Sequence, residues 1–444
     1  MPLEPPRALL ATAYQTITGL IRHRAVGDTG ALAGAKYAGA AMGLVTAGLA
    51  ARWLGPDPFG HAVLAISYCD LLLSLTGFKT SAVATHYLSA LGASGKHDQA
   101  AAVFKLSVLA EVVTGTTAGL LAVGTAPWLV PWLFPGQKIE MLVVTLALSL
   151  PFAGLLGAAT AGLNATGRFR DLAAFTIGER LATLGLVVVA LLAGLGAWGY
   201  LAARILSRTA FNIVMLWQAS RALRQNGIHQ WWRASLNTVA HLRGQLQAFF
   251  GWNYVSVTCT GLVEQIPIML LGRFAGSADA GYFSLGRSLV NVASYLETTL
   301  GQVTYPKLSA WSETLDPRAS IARAWRWSWR AGLPVALLII VGALLLPMAL
   351  PVALGAEYTP MVGGAQVLLI GASASAVVFW VQPFYFANAR IGQWTRLQLA
   401  DTLAVIALMS LVVPAFGWLG LCWLVAVNRS LFRGTMAWLA RRAA

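Results

Sequence analysis

Arg52-Trp53-Leu54-Gly55-Pro56-Asp57-Pro58-Phe59-Gly60-His61-Ala62-Val63-Leu64 decides the reading of this chain. It returns 221 residues later as Arg273-Phe274-Ala275-Gly276-Ser277-Ala278-Asp279-Ala280-Gly281-Tyr282-Phe283-Ser284-Leu285, with the Arg, both Gly and the Leu at the same spacing. Other matches keep that order and an offset of 220–221. Leu88-Ser89-Ala90 recurs as Leu308-Ser309-Ala310, Pro127-x3-Pro131 as Pro347-x3-Pro351, and Gly196-x-x-Gly199 as Gly417-x-x-Gly420. The chain is a faint duplicate of itself. In a long apolar sequence, that is the usual build of a secondary transporter with its path between the halves.

Composition supplies the apolar premise. The 444 residues are 57% hydrophobic and 11% charged, whereas a soluble domain carries about 25% charged residues. A mean hydropathy of +0.67 makes this a polytopic membrane protein. Residues 1–30 contain Arg7, Arg22 and Arg24 and lack the short apolar core and small-residue cleavage site of a signal peptide, so the first span is expected to insert directly. The net charge of +15 falls in alternate loops. It fits membrane lipids as partner and not nucleic acid. Cys69, Cys259 and Cys422 lie far apart in apolar runs, as buried small hydrophobes and not as a disulfide framework or zinc site.

A membrane helix needs about 20 mostly apolar residues. Twelve stretches qualify: 31–53, 60–78, 101–126, 139–163, 172–194, 197–219, 247–272, 281–304, 330–353, 361–387, 394–414 and 417–438. The expected fold is all-α, with two six-helix bundles, 31–219 and 247–444, after an N-terminal segment 1–30. The repeated proline pairs are expected to mark helix ends. One set of loops holds Arg168, Arg170, Arg221, Arg224, Arg233, Arg243, Arg318, Arg323, Arg326, Arg390, Arg441 and Arg442. Positive-inside asymmetry puts that set and both termini in the cytoplasm. Six spans per half make the repeats parallel, related by a pseudo-twofold along the membrane normal. Between the bundles, 220–246 contains Trp231, Trp232 and Arg233 and reads as a cytoplasmic interfacial helix.

Arg52-Trp-Leu-Gly-Pro-x-x-Phe-Gly60 resembles the signature after the first span of bacterial oligosaccharide flippases. These are the O-antigen and exopolysaccharide exporters of the multidrug/oligosaccharidyl-lipid/polysaccharide superfamily. Gly281-Tyr282 with Arg287, Pro306-Lys307-Leu308-Ser309, Leu354-Gly355-x-Glu357-Tyr358 and Phe416-Gly417-x-x-Gly420 resemble later motifs of the same family. The resemblance implies two six-helix bundles around a central cavity in the bacterial inner membrane. It also implies movement of an undecaprenyl-diphosphate-linked glycan to the outer leaflet, with glycan polymerase and chain-length proteins as possible partners. The chain departs from the family in its seventh span. Where many members carry an Asp five residues before the closing glycine, this chain has Pro267, with Glu264 three residues earlier.

Ionised side chains inside a span cost at least about 2.5–3.5 kcal/mol, so they should face water or a partner. At 1.5 Å rise per residue, Arg208 lies about 18 Å below the outer end of its span. Arg429 is its partner on the 221 diagonal, and Arg204 shares a helical face with Arg208. Guanidinium groups offer forked donors that match a diphosphate. Arg208, Arg429, Arg204 and Arg287 are therefore the candidate cargo contacts; the alternative is a structural pair or a contact between bundles for the first three and snorkelling to the outer interface for Arg287. The acids within spans are Asp70, Glu111, Glu179, Glu264, Glu297 and Asp401. Of these, Glu264, Asp70, Glu179 and Asp401 are candidates for a coupling ion or for pairing with the arginines. Pro267 removes a helix hydrogen bond near Glu264, and a broken helix beside an acid is a recurrent ion site.

No HExxH, P-loop, GxGxxG or nucleophile elbow is present, so the expectation is a non-enzyme without a cofactor. The leading reading is a flippase for a polyprenyl-diphosphate-linked oligosaccharide working by alternating access. A cation-coupled multidrug exporter of the same superfamily is the alternative. A membrane glycosyltransferase or glycan polymerase is disfavoured by the short outer loops.

Overall fold

A computed structural model describes residues 32–442 apart from 79, 315–316 and 389. The expected N-terminal segment 1–30 lies outside the described residues. Among the described residues there is no strand. The helices run in chain order as α1 (32–54), α2 (Pro56–Thr76), α3 (Ser81–Ala93), α4 (His97–Leu133), α5 (Glu140–Ala147), α6 (Leu150–Ala153), α7 (Leu155–Ala165), α8 (Phe169–Leu192) and α9 (Gly196–Gln225). The second half adds α10 (Arg243–Phe274), α11 (Ser277–Thr314), α12 (Pro317–Trp327), α13 (Leu333–Leu354), α14 (Met361–Val377), α15 (Val381–Ala387) and α16 (Ile391–Arg442). Each of the twelve expected spans is mainly helical in its described part, and α16 holds the last two, bent at Gly417. The chain is an all-α multi-pass membrane protein.

Among the described residues, five helices are long and apolar enough to cross a membrane by length and composition alone, and two bent pairs bring this to seven. The helices α9, α10 and α11 carry Arg204, Arg208, Glu264, Arg287 and Glu297. That charge belongs where it faces other helices or water and not lipid.

The duplicated stretch turns α1 directly into α2. Gly55 has φ 79° and Gly276 has φ 107°, conformations that a Cβ disfavours, and Pro56 takes the first helical position, where its missing N–H costs nothing. The two copies then pack against each other. A Cβ on Gly60 would sit 2.0 Å from the Ser277 carbonyl oxygen, and one on Gly281 would meet Phe59 and the Gly60 backbone at 3.2–3.5 Å. Ser277 Oγ donates to Asp57 Oδ1 at 2.7 Å across the same crossing. The pseudo-twofold therefore passes where the repeat meets its copy.

Cohesion between the halves is unequal along their length. At the end opposite the arginine-rich loops, one continuous core draws from both halves, including Phe59, Leu64, Phe134, Leu271, Phe283 and Tyr358. At the arginine-rich end there are two separate cores. One contains only first-half residues such as Leu88, Phe104 and Leu223, the other only second-half residues such as Leu308, Trp380 and Tyr385. The halves share one core at one end and keep separate cores at the other, where Tyr254 still donates to the Leu75 carbonyl at 2.6 Å and Tyr37 packs on Tyr295 at 5.2 Å.

Three expectations change. Pro127, Pro131, Pro347 and Pro351 lie inside α4 and α13, which continue two to three residues beyond the second proline of each pair. The prolines remove ladder hydrogen bonds only in the last turns, where little helix remains to be broken. Next, 220–246 is not an interfacial helix. Residues 220–225 finish α9, and the following stretch makes short 3-10 turns at Trp231–Arg233 and Leu236–Leu242. Trp231 packs edge-on to Phe104 at 5.0 Å and its Nε1 donates to Ser220 Oγ at 3.0 Å, so internal contacts take the side chain expected to anchor in lipid. The fourth and tenth spans are also bent, by 49° and 40°.

Glu111 and Glu297 serve those bends. The buried Glu111 carboxylate accepts from the Ala158 N–H at 2.8 Å and the Thr80 N–H at 3.1 Å, beside the break at Gly154. Glu297 accepts from Ser375 Oγ at 2.9 Å near the corresponding bend after Val377. Cys69, Cys259 and Cys422 are free thiols, two of them buried.

Candidate functional site

Helix α9 presents Arg204, Arg208, Asn212 and Met215 on one face, at the i, i+4, i+8, i+11 spacing of a single helical stripe. That stripe lines a cavity of about 320 Å³ within the first half. Helix α2 contributes Asp70 to its wall and α8 contributes Glu179, Arg180 and Thr183. Three guanidinium groups thus share the cavity with two carboxylates.

The charges are not equally committed. Arg180 Nε lies 3.3 Å from Glu179 Oε2, with side chains 42% and 24% exposed, a loose pair. Arg204 rests over the Tyr200 ring at 5.8 Å and its Nη1 donates to that hydroxyl at 3.4 Å. Asp70 lies within electrostatic reach of Arg204 and of Arg287. Arg208 makes no hydrogen bond or ion pair with a described residue. Asn212 spends its amide on the Phe152 carbonyl at 3.1 Å, satisfying backbone in the bent fourth span.

The second half has its own cavity of about 380 Å³, walled by α11, α15 and α16 with Glu297, Gln302, Gln382, Arg429 and Arg433. Here the arginines are held. Arg429 donates through Nε to Ser375 Oγ and through Nη2 to Ser294 Oγ and Glu297 Oε2, each at 2.9 Å. Arg433 Nη2 reaches Glu297 Oε1 at 2.9 Å. Subtracting 221 from 297 gives Thr76, whose hydroxyl donates to the Leu72 carbonyl at 3.0 Å. The first half has no acid at the place of the one that holds Arg429, and Arg208 is uncommitted.

The residues expected from sequence are therefore divided. Arg204, Arg208, Asp70 and Glu179 come together in the first cavity. Arg429 lies in the second, inside the structural pairing that was its alternative. The two diagonal arginines line different walls and do not share one pocket. Arg287 and Glu264 meet through backbone: the Arg287 guanidinium donates to the Glu264 carbonyl. That bond falls next to the Val263 carbonyl, which Pro267 leaves without its helical donor. The helix α10 stays continuous through Pro267, so the expected break beside Glu264 is absent. Asp401 accepts from Asn428 Nδ2 at 3.1 Å and lines neither cavity.

Arg180, Arg433 and Asn212 escaped sequence reasoning. A usable signal existed for the last two. Asn212 and Arg433 are themselves partners on the 221 diagonal and lie four residues after Arg208 and Arg429, on the same faces.

Residues 49–363 match the model of a family described as polysaccharide biosynthesis protein. No curated protein sequence matches the chain. Among solved structures, the lipid II flippase MurJ in an inward closed conformation superposes with a TM-score of 0.73 at 11% identity, over 92% of this chain and 87% of that one. An inward-facing multidrug resistance transporter of the MATE family, in the MOP superfamily, gives 0.70 at 11% identity, over 91% and 94%. A MOP superfamily transporter from Pyrococcus furiosus, described as having a binding pocket of reverse polarity, gives 0.57 at 14% identity, over 94% and 95%. At these identities the likeness is one of fold.

Proposed function

The chain belongs to the polysaccharide biosynthesis protein family, and on that premise we propose that it moves a polyprenyl-diphosphate-linked oligosaccharide across the bacterial inner membrane. The observation that carries this reading is Arg208, a guanidinium inside a cavity with no anion among the described residues committed to it. Placing an unpaired cation at membrane depth is expensive, and a phosphate that forks onto it and onto Arg204 and Arg180 offsets that cost. The end with the shared core is taken as the outer side and the arginine-rich end, with both termini, as the cytoplasmic side. The diphosphate enters from the cytoplasmic side while the lipid tail stays in the bilayer. Parting the halves at the Gly60–Gly281 crossing while their cytoplasmic ends close then exchanges the open end, an alternating-access cycle about a fixed site.

The test is glycan export in cells whose only copy is Arg208→Gln. Export falls at least tenfold while the protein inserts and accumulates normally. Export at the wild-type rate refutes the diphosphate role.

Asp70 and Glu179 in the same cavity favour a second reading, a cation-coupled multidrug exporter. It requires that deleting the chain change drug susceptibility while surface glycan stays intact.

A further inference from the structure

We propose that α12 and its junction with α13 form a binding site for the headgroups of anionic phospholipids, built into the second half only. Residues Arg318–Leu354 make one 37-residue helical rod. Its exposed stripe climbs through Leu337 (52%), Val341 (51%), Leu344 (68%), Met348 (77%) and Val352 (76%), the face of a lipid-contacting span. Followed downward, the same exposed face passes Pro334 and becomes Arg330, Arg326 and Arg323.

Depth fits headgroups. The 22 residues of α13 extend about 33 Å, enough for a hydrocarbon core of about 30 Å. Arg330, three residues before Leu333, emerges about 5 Å beyond that core, and Arg326 follows about 6 Å further on. The headgroup layer on each side is roughly 5–8 Å thick, so Arg330 lies within it and Arg326 at its aqueous margin. Trp329, 65% exposed, sits beside them in the position aromatic side chains take at a membrane interface.

The ladder is held in orientation. On the opposite face Ile321 and Ala324 are buried in the core with Trp380. Trp380 Nε1 donates to Ser328 Oγ at 2.8 Å, within the wide π turn of Ser328–Gly332. The helix is thereby prevented from rolling. Arg326 and Arg330 make no hydrogen bond or ion pair with a described residue, while Arg323 leans over Trp311 at 5.6 Å. Fixed, uncommitted guanidinium groups at phosphate depth suit the phosphates of an anionic lipid surface.

The repeat argues that this is an addition to the fold. Subtracting 221 from 323, 326 and 330 gives Ala102, Lys105 and Leu109, and Lys105 Nζ is occupied by the Ala234 carbonyl at 2.9 Å. By contrast, Arg221 over Trp217 and Arg442 over Trp438 repeat on the diagonal as ordinary interfacial anchors.

The full chain is reconstituted in vesicles of equal phosphatidylglycerol and phosphatidylcholine, extracted in mild detergent, and its retained lipids are counted by native mass spectrometry. Wild type should retain phosphatidylglycerol over phosphatidylcholine. R326Q/R330Q should cut the retained phosphatidylglycerol at least fivefold, R326K/R330K should keep at least half of it, and R221Q/R224Q should leave it unchanged. Should R326Q/R330Q not extract as a monodisperse species, R330Q alone is expected to cut retention at least twofold. Equal retention of both lipids by wild type, undiminished retention in R326Q/R330Q, or an equal loss in R221Q/R224Q overturns the proposal. Undiminished retention would assign the ladder to a protein partner instead.

Discussion

The guanidinium of Arg273 donates to the carbonyl of Trp132 and stacks 4.3 Å from the indole of the same residue. Its repeat partner does the same in reverse: Arg52 Nη1 donates to the carbonyls of Val352 and Ala353 at 2.8 and 3.1 Å. Each half thus sends the arginine of its signature into the other, to cap carbonyls that a helix C-terminus leaves unpaired. Charge-assisted bonds of this kind contribute about 1 kcal/mol each when partly exposed. R52Q/R273Q should lower the unfolding midpoint in detergent and speed maleimide labelling of a single cysteine placed at Ser277. Labelling at the wild-type rate would mean that the arginines do not hold this end shut.

The crossing itself should be more sensitive. Gly60→Ala places a methyl 2.0 Å from a backbone oxygen, whereas Gly281→Ala meets its nearest atom at 3.2 Å. Overpacking typically costs about 1–3 kcal/mol, and backbone gives way less readily than side chain. Thermal unfolding should therefore show a clear loss for Gly60→Ala and a smaller one for Gly281→Ala. Similar shifts for both would place the pseudo-twofold contact elsewhere.

Arg208 and Arg429 should separate function from stability. Glu297, with an 8% exposed side chain, pairs with both Arg429 and Arg433, and removing one member of such a group costs about 3 kcal/mol. E297Q should be strongly destabilised in a thermal scan, while R208Q should unfold like wild type and still lose transport. A destabilised R208Q would reveal a structural partner for that side chain.

Asp279, in the first turn of α11 at the joined end, has its carboxyl pushed up to about 6 by burial. Its unfolded value is near 3.9, so between these values the folded chain binds the extra proton. This contribution is fully present at low pH and is lost as pH rises through about 6. Wild type should thus gain in unfolding midpoint from pH 7.5 to pH 5 relative to D279N, and D279N should be the more stable at pH 7.5. Parallel profiles for the two proteins would exclude Asp279 as the titrating group.

Much of the scaffold was legible because it rests on periodicity. Apolar stretches of span length and the 221-residue echo are properties of the chain taken in order, and the helices fall where those stretches are. The misread parts depended on what a side chain touches. Trp231 has the composition of a lipid anchor, but its ring faces Phe104. The lipid-facing basic helix is α12, whose sequence was read only as a charged loop before a span. Pro267 marked a break in the sequence, and a guanidinium from the next helix bonds the adjacent carbonyl instead.

Sequence by itself determined the duplication, the parallel twelve-span plan and the presence of arginines at depth, because hydropathy and helical rise are local quantities that add along a chain. Tertiary structure alone decided which arginine is committed. Arg208 and Arg429 are indistinguishable by position in the repeat, but ion pairing depends on distances between helices. Only the fold brings Glu297 within 2.9 Å of Arg429 and sets Thr76 at the matching place in the other half. The same holds for the signature that opened the reading. Its spacing named a turn twice, and the fold showed that the two turns are each other's partner.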